Sequence, residues 1–144
     1  MDIVLDTNCL LMSLSRRSPY YPVWREFVDG KYTLCVTNEI LSEYEEKLIE
    51  KVGQEIASNV ITAILDLPNT KMVQVFYHLR LITSDPDDDK LVDCAFKANA
   101  RFIVTQDHHY DVLKQTPFPY IDVIGIDEFI RVLQKQDADS LNSR

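Results

Sequence analysis

The residues of this sequence best suited to chemistry are its acids, and four groups of them stand out. Asp6 follows the apolar run Ile3-Val4-Leu5, and Asp107 follows Phe102-Ile103-Val104-Thr105-Gln106. Both runs are short, apolar and rich in β-branched residues, as buried strands are. In open α/β sheets, sites form outside the carboxyl ends of the strands. If these two strands are neighbours, both carboxylates face one crevice. A third group is Asp85-Pro86-Asp87-Asp88-Asp89-Lys90-Leu91-Val92-Asp93. Asp85 and Asp87 read as capping residues of a helix whose first turn favours anions. Asp89 and Asp93 lie deeper and share one helix face; the plainer reading of both is a solvated face. The fourth group is the run Glu39 to Ile49, which carries four glutamates. Ile40, Leu41, Tyr44, Leu48 and Val52 form its apolar arc. Glu43 lies just beyond one edge of that arc and Glu45 near the other, and periodicity does not choose between them.

Carboxylates crowded together repel and need compensation to stay ionised. Hard divalent cations such as Mg2+ or Mn2+, which prefer oxygen ligands, supply it. Such ions polarise a phosphoryl oxygen, generate hydroxide from water and steady a leaving oxygen, the services that phosphodiester hydrolysis requires. The rest of the inventory fits other chemistry poorly. His108 and His109 are adjacent and point apart, His78 is isolated, and Cys9, Cys35 and Cys94 have neither zinc nor disulfide spacing. An EF-hand beginning at Asp85 fails because its sixth position is Lys90 and its twelfth is Phe96. A phosphatase with an aspartyl nucleophile at Asp6 would want a second Asp where Asn8 stands.

The elements that must position these acids alternate. Ile3–Leu5 and Tyr32–Val36 read as strands, with helical sequence from Cys9, a loop over Arg16–Pro22 and a helix over Val23–Val28 between them. Thr37-Asn38 caps a helix to about Val52, a second runs from Gln54 to Leu67, and Pro68-Asn69 stops it. Val73–Phe76 and Leu79–Thr83 read as extended. A helix opens at Pro86 or Asp87 and reaches Asn99. Arg101–Thr105 is a strand, Asp107–Lys114 a short helix or turn, and Ile121–Ile126 the last strand. Asp127 caps a closing helix to about Gln134. Alternation of this kind implies an α/β fold of three layers, with a central parallel sheet of about five strands and helices on both faces. At 144 residues the chain makes one domain, over 1–135, with a polar tail over 136–144. No apolar run approaches the ~20 residues of a membrane span, and the first residues lack the pattern of a leader peptide, so a cytoplasmic location is expected. The net charge of −8 opposes nucleic-acid binding unless several acids hold cations, since two divalent ions would halve it.

Taken in order, these pieces resemble the PIN-domain family, in particular the toxin components of toxin–antitoxin systems related to VapC. The resemblance runs from about Asp2 to Leu133. It rests on Asp6-Thr7-Asn8 after the first strand, on an acid six residues past Thr37, on Asp85-Pro86-Asp87-Asp88-Asp89 with Ala95 beyond, and on Ile103-Val104-Thr105-Gln106-Asp107. It selects Glu43 over Glu45. It implies a ribonuclease whose catalytic, Mg2+- or Mn2+-holding acids are Asp6, Glu43, Asp89 and Asp107, with Asp93 as a further ligand. Asn8 and Thr105 would orient a carboxylate or water by hydrogen bonds; Thr7 is explained equally well as a helix cap. One departure is His109, where many relatives carry an Asp. Arg16 and Arg17, beside Tyr20, Tyr21 and Trp24, would contact RNA; packing of the aromatics and solvation of the arginines is the plainer reading. The resemblance also implies an antitoxin partner and a homodimer. The alternative is a catalytically silent PIN fold that binds RNA or protein, against which the intact acid set argues.

Overall fold

A computed structural model of the chain describes residues 1–76, 86–115 and 121–142; side chains at 86–88, 109, 112, 114 and 115 lie outside the description. The element order is β1 (Asp2–Leu5), α1 (Thr7–Met12), α2 (Tyr21–Val28), β2 (Thr33–Val36), α3 (Asn38–Val52), α4 (Gln54–Asp66), β3 (Thr70–Met72), α5 (Pro86–Ala98), β4 (Phe102–Val104), a 3₁₀ segment (His108–Gln115), β5 (Asp122–Ile124) and α6 (Ile126–Asn142).

The five strands form one sheet in the order β3-β2-β1-β4-β5, and every pairing is parallel. The chain winds outward from β1 to β3, then returns to the other side of β1 for β4 and β5. The order therefore reverses between β1 and β4, where Leu5 pairs with Val104. Successive strand residues point to opposite faces, yet Ile3, Val4 and Leu5 are all buried, as are Leu34, Cys35 and Val36, and Phe102, Ile103 and Val104. Both faces of the central strands are thus covered, as the unbroken apolar runs require.

The structure moves several boundaries. The outer strand is Thr70–Met72, before the expected Val73–Phe76. The turn after α4 decides this: Asn69 Nδ2 donates to the carbonyls of Phe27 and Tyr32, and Thr70 Oγ1 donates to Ile64 O. The chain is thereby set beside β2 at once, and only Val73 prolongs the contact, its N–H meeting Val36 O at 2.8 Å. Helix α2 starts at Tyr21 and takes Pro22 into its first turn, where a missing N–H costs nothing. Asp127 is inside α6 and does not cap it. Residues from Gln136, expected to be a tail, continue α6 to Asn142, and Gln136 Nε2 donates to Lys31 O at 2.7 Å. The extended reading of Leu79–Thr83 and the capping reading of Asp85 fall outside the described residues, as do His78 and the side chain of Asp87.

Candidate active site

Asp6 emerges from the carboxyl end of β1 and stands at the N-cap of α1. Its backbone extends the ladder, N–H to Val104 O at 3.0 Å, while its C=O accepts from Leu10 N. Its side chain makes no capping bond to α1. Instead Asp6 Oδ2 accepts from Thr105 Oγ1 at 2.6 Å. Thr105, only 4% exposed, follows β4. The same hydroxyl accepts from the backbone N–H of Asp107 at 3.0 Å. One buried hydroxyl thus links the acid after β1 to the loop carrying the acid after β4. Adjacency of these strands sets the residues after β1 and β4 side by side, at the place where the strand order reverses.

A second linkage starts one residue later. Thr7 Oγ1 donates to Glu43 Oε2 at 2.5 Å, and Lys90 Nζ lies 3.2 Å from Glu43 Oε1. Helix α3 delivers Glu43 because Thr37 caps it, accepting from Ile40 N at 3.1 Å, and because Ile40, Tyr44 and Leu48 bury its inner stripe. Tyr44 is completely buried and its hydroxyl donates to Leu5 O, tying α3 to the last residue of β1. Glu43, next to this anchor, is half-buried, whereas Glu45 is exposed. Thr7 therefore acts as a donor to the acid of another helix; as first residue of α1 it does not occupy the capping position, which Asp6 holds.

On α5, Asp93 is 3% exposed and Asp89 is partly buried, so neither lies on a freely solvated face. Asp93 and Lys90 line a cleft with Thr37, Asn38, Glu39 and Val73 to Val75. Lys90 also lines an adjoining cleft with Ser42, Glu43, Glu46 and Lys47. A further cleft, at the ends of β4 and β5, holds Thr105, Asp107, His108 and Asp111. Asn8, expected to orient a ligand, is exposed on α1. Arg16 and Arg17 are exposed on the loop between α1 and α2, while Trp24 packs on Phe27 with ring centroids 5.6 Å apart. The His109 side chain lies outside the described residues.

Two contributors were missed by sequence reasoning. Lys90 was visible only as a non-glycine that spoiled an EF-hand. Gln106 sits between Thr105 and Asp107, and its Oε1 accepts from Ile126 N at 2.8 Å. It thereby caps α6 in place of the preceding residue, Gly125. A Cβ on Gly125 would lie 2.7 Å from that oxygen, so the glycine makes room for the cap. No local pattern announces a cap supplied from a neighbouring strand end.

The donor set suits a hard cation: carboxylates, with hydroxyls holding them. Burial, and secondarily Asp6, push the Cys9 thiol up to about 12, so the sulfur beside the crevice stays protonated. Among the described residues, no three acidic, histidine or cysteine side chains close around a single point. Thr105 ties Asp6 to the Asp107 backbone on one side, and Thr7 and Lys90 hold Glu43 on the other.

A doubly wound parallel sheet with acids after the strands at its reversal point defines an α/β class whose ligand sites form at the carboxyl edge of the sheet. Within that class the chain belongs to the PIN-domain family, whose model matches residues 2–109. Among curated proteins none matches the sequence. Among solved structures, the fold is similar to that of VapBC2 from Rickettsia felis bound to a promoter DNA fragment, with a TM-score of 0.61 at 17% identity over 87% of this chain and 98% of that one. DNA-bound VapBC from Salmonella typhimurium gives 0.58 at 13% identity, over 88% and 98% of the two chains. VapBC-1 from nontypeable Haemophilus influenzae gives 0.57 at 10% identity, over 88% and 99%.

Proposed function

We propose that this PIN domain is a metal-dependent endoribonuclease, the toxin of a toxin–antitoxin pair. The observation that carries the reading is the Asp6–Thr105–Asp107 linkage over the reversal point of the sheet. Asp6, Glu43, Asp89 and Asp107 would hold Mg2+ or Mn2+, with Asp93 as a further ligand. When bound, such an ion supplies a nucleophilic hydroxide and charge stabilisation at the phosphorus. The chain's own part is positioning. Thr105 fixes Asp6 and the Asp107 backbone, and Thr7 orients Glu43. Arg16 and Arg17 would meet RNA phosphates away from the acids. The VapBC complexes of similar fold support an antitoxin as partner, and the toxin reading brings with it a homodimer in the cytoplasm. Among the described residues no helix is long and apolar enough to cross a membrane.

The test is cleavage of a panel of single-stranded and structured RNAs by purified protein in Mg2+, Mn2+ or EDTA, beside Asp6→Asn and Asp89→Asn. Metal-dependent cutting that falls at least about a hundredfold in both variants is expected. Equal cutting by the variants would sink the site assignment. No cutting and no metal binding would make the chain a binding module. Asp6→Asn keeps an acceptor for Thr105 and removes one repelling charge, so in EDTA it should melt higher than the parent. An unchanged or lower melting temperature would count against charge repulsion at Asp6.

A further inference from the structure

We propose that Lys90 is a positioning residue that stands in for the metal at Glu43, holding this carboxylate until a divalent cation displaces it. The inference rests on the metal-dependent reading above and adds to it a resident competitor. Lys90 and Glu43 come from different helices, α5 and α3, and meet at 3.2 Å with side chains only 16% and 19% exposed. An ion pair so sheltered is screened much less than a surface pair. The second oxygen of Glu43 is taken by Thr7, so a cation approaching Glu43 Oε1 meets the ammonium already there. The pairing bridges α3 and α5 at the acid itself. It also gives the ammonium somewhere to go: Lys90 lines two adjoining clefts that share Asn38 and Glu39, and four rotatable bonds let it swing along them. Released from Glu43, it carries its charge into the clefts beside the acids, where an anionic strand would need a cation.

The consequence is opposite to that of an ordinary stabilising residue. Removing Lys90 should lower the stability of the metal-free protein and tighten metal binding, because the ion no longer has to break the pair or sit beside a positive charge. The experiment is calorimetric titration of the full chain with Mn2+ alone, for the parent, Lys90→Met, Lys90→Arg and Glu43→Gln, with melting curves in EDTA. Lys90→Met should bind Mn2+ about tenfold tighter and melt lower in EDTA, with Mn2+ closing the gap. Lys90→Arg keeps the charge and should bind within about twofold of the parent. Equal or weaker Mn2+ binding by folded Lys90→Met, with Glu43→Gln binding poorly, would overturn the competitor and leave the metal site standing. Mn2+ binding that Glu43→Gln leaves unchanged, or none by the parent and Lys90→Met alike, would overturn both.

Discussion

The two linkages that hold the acids begin at consecutive residues, Asp6 and Thr7, yet they are built differently. The Asp6–Thr105–Asp107 linkage joins two adjacent parallel strands through one hydroxyl and one backbone N–H. Its geometry follows from the sheet: once β1 and β4 pair, the residues after them must lie together. The Thr7–Glu43–Lys90 linkage joins three helices and ends on an ammonium. Its geometry depends on how α1, α3 and α5 pack. Sheet pairing makes the first linkage a rigid platform, whereas the long side chains of the second can rearrange.

The largest effect should come from breaking the sheet linkage. Thr105→Val keeps the volume and removes the hydroxyl, leaving Asp6 Oδ2 and the Asp107 N–H without this partner. We expect a loss of about 1–2 kcal/mol of stability and roughly tenfold weaker Mn2+ binding, read by urea denaturation and calorimetry. A variant that binds Mn2+ like the parent would make Thr105 structural only. Thr7→Val breaks the helical linkage. It should cost about 1 kcal/mol and weaken Mn2+ binding by less than Thr105→Val does, since Glu43 retains its Tyr44-anchored helix. The reverse order of effects would invert the comparison.

A smaller effect tests whether α6 steadies the platform. Gln106→Ala uncaps Ile126 N and should cost about 0.5–1 kcal/mol. Adding Gly125→Ser in that background places an N-cap side chain where the glutamine oxygen was. Thermal melts should show most of the loss restored; a further drop would mean Gln106 matters for something other than the cap.

The smallest effect at neutral pH lies in the core. Burial raises the thiols of Cys9 and Cys94 from 9.0 to about 12 and that of Cys35 from 9.0 to about 11. A thiol whose folded pKa is raised contributes stability that is fully present below pH 9 and is lost as pH rises through 11 to 12, because the unfolded chain ionises first. Melting temperature should therefore be insensitive to these thiols at neutral pH and fall above pH 9, and thiolate absorbance should lag that of the urea-unfolded chain. Thiolate appearing near pH 9 in the folded protein would show that the thiols are not sealed.

Much of this was legible in the sequence. Unbroken apolar runs such as Ile3-Val4-Leu5 and Phe102-Ile103-Val104 announced strands buried on both faces, and Thr37 announced the start of α3. The acid after each strand could be named because the carboxyl end of a parallel strand is a fixed place. The position of β3, the length of α6 and the capping by Gln106 were not legible, since each depends on bonds to distant residues: Asn69 to Phe27 and Tyr32, Gln136 to Lys31, Gln106 to Ile126.

Glu43 shows where the line falls. At about 100° per residue, Glu43 and Glu45 lie equally far from the centre of the buried Ile40–Tyr44–Leu48 stripe, so no property of the helix alone separates them. The sequence by itself determined that an acid would flank this stripe and that acids would follow β1 and β4. The resemblance selected Glu43 without a physical reason; only the tertiary structure shows why that flank is sheltered, because α1 and α5 bring Thr7 and Lys90 to Glu43, while Glu45 remains in solvent. Periodicity fixes a direction around one helix axis; what stands in that direction is set by the packing of the other elements.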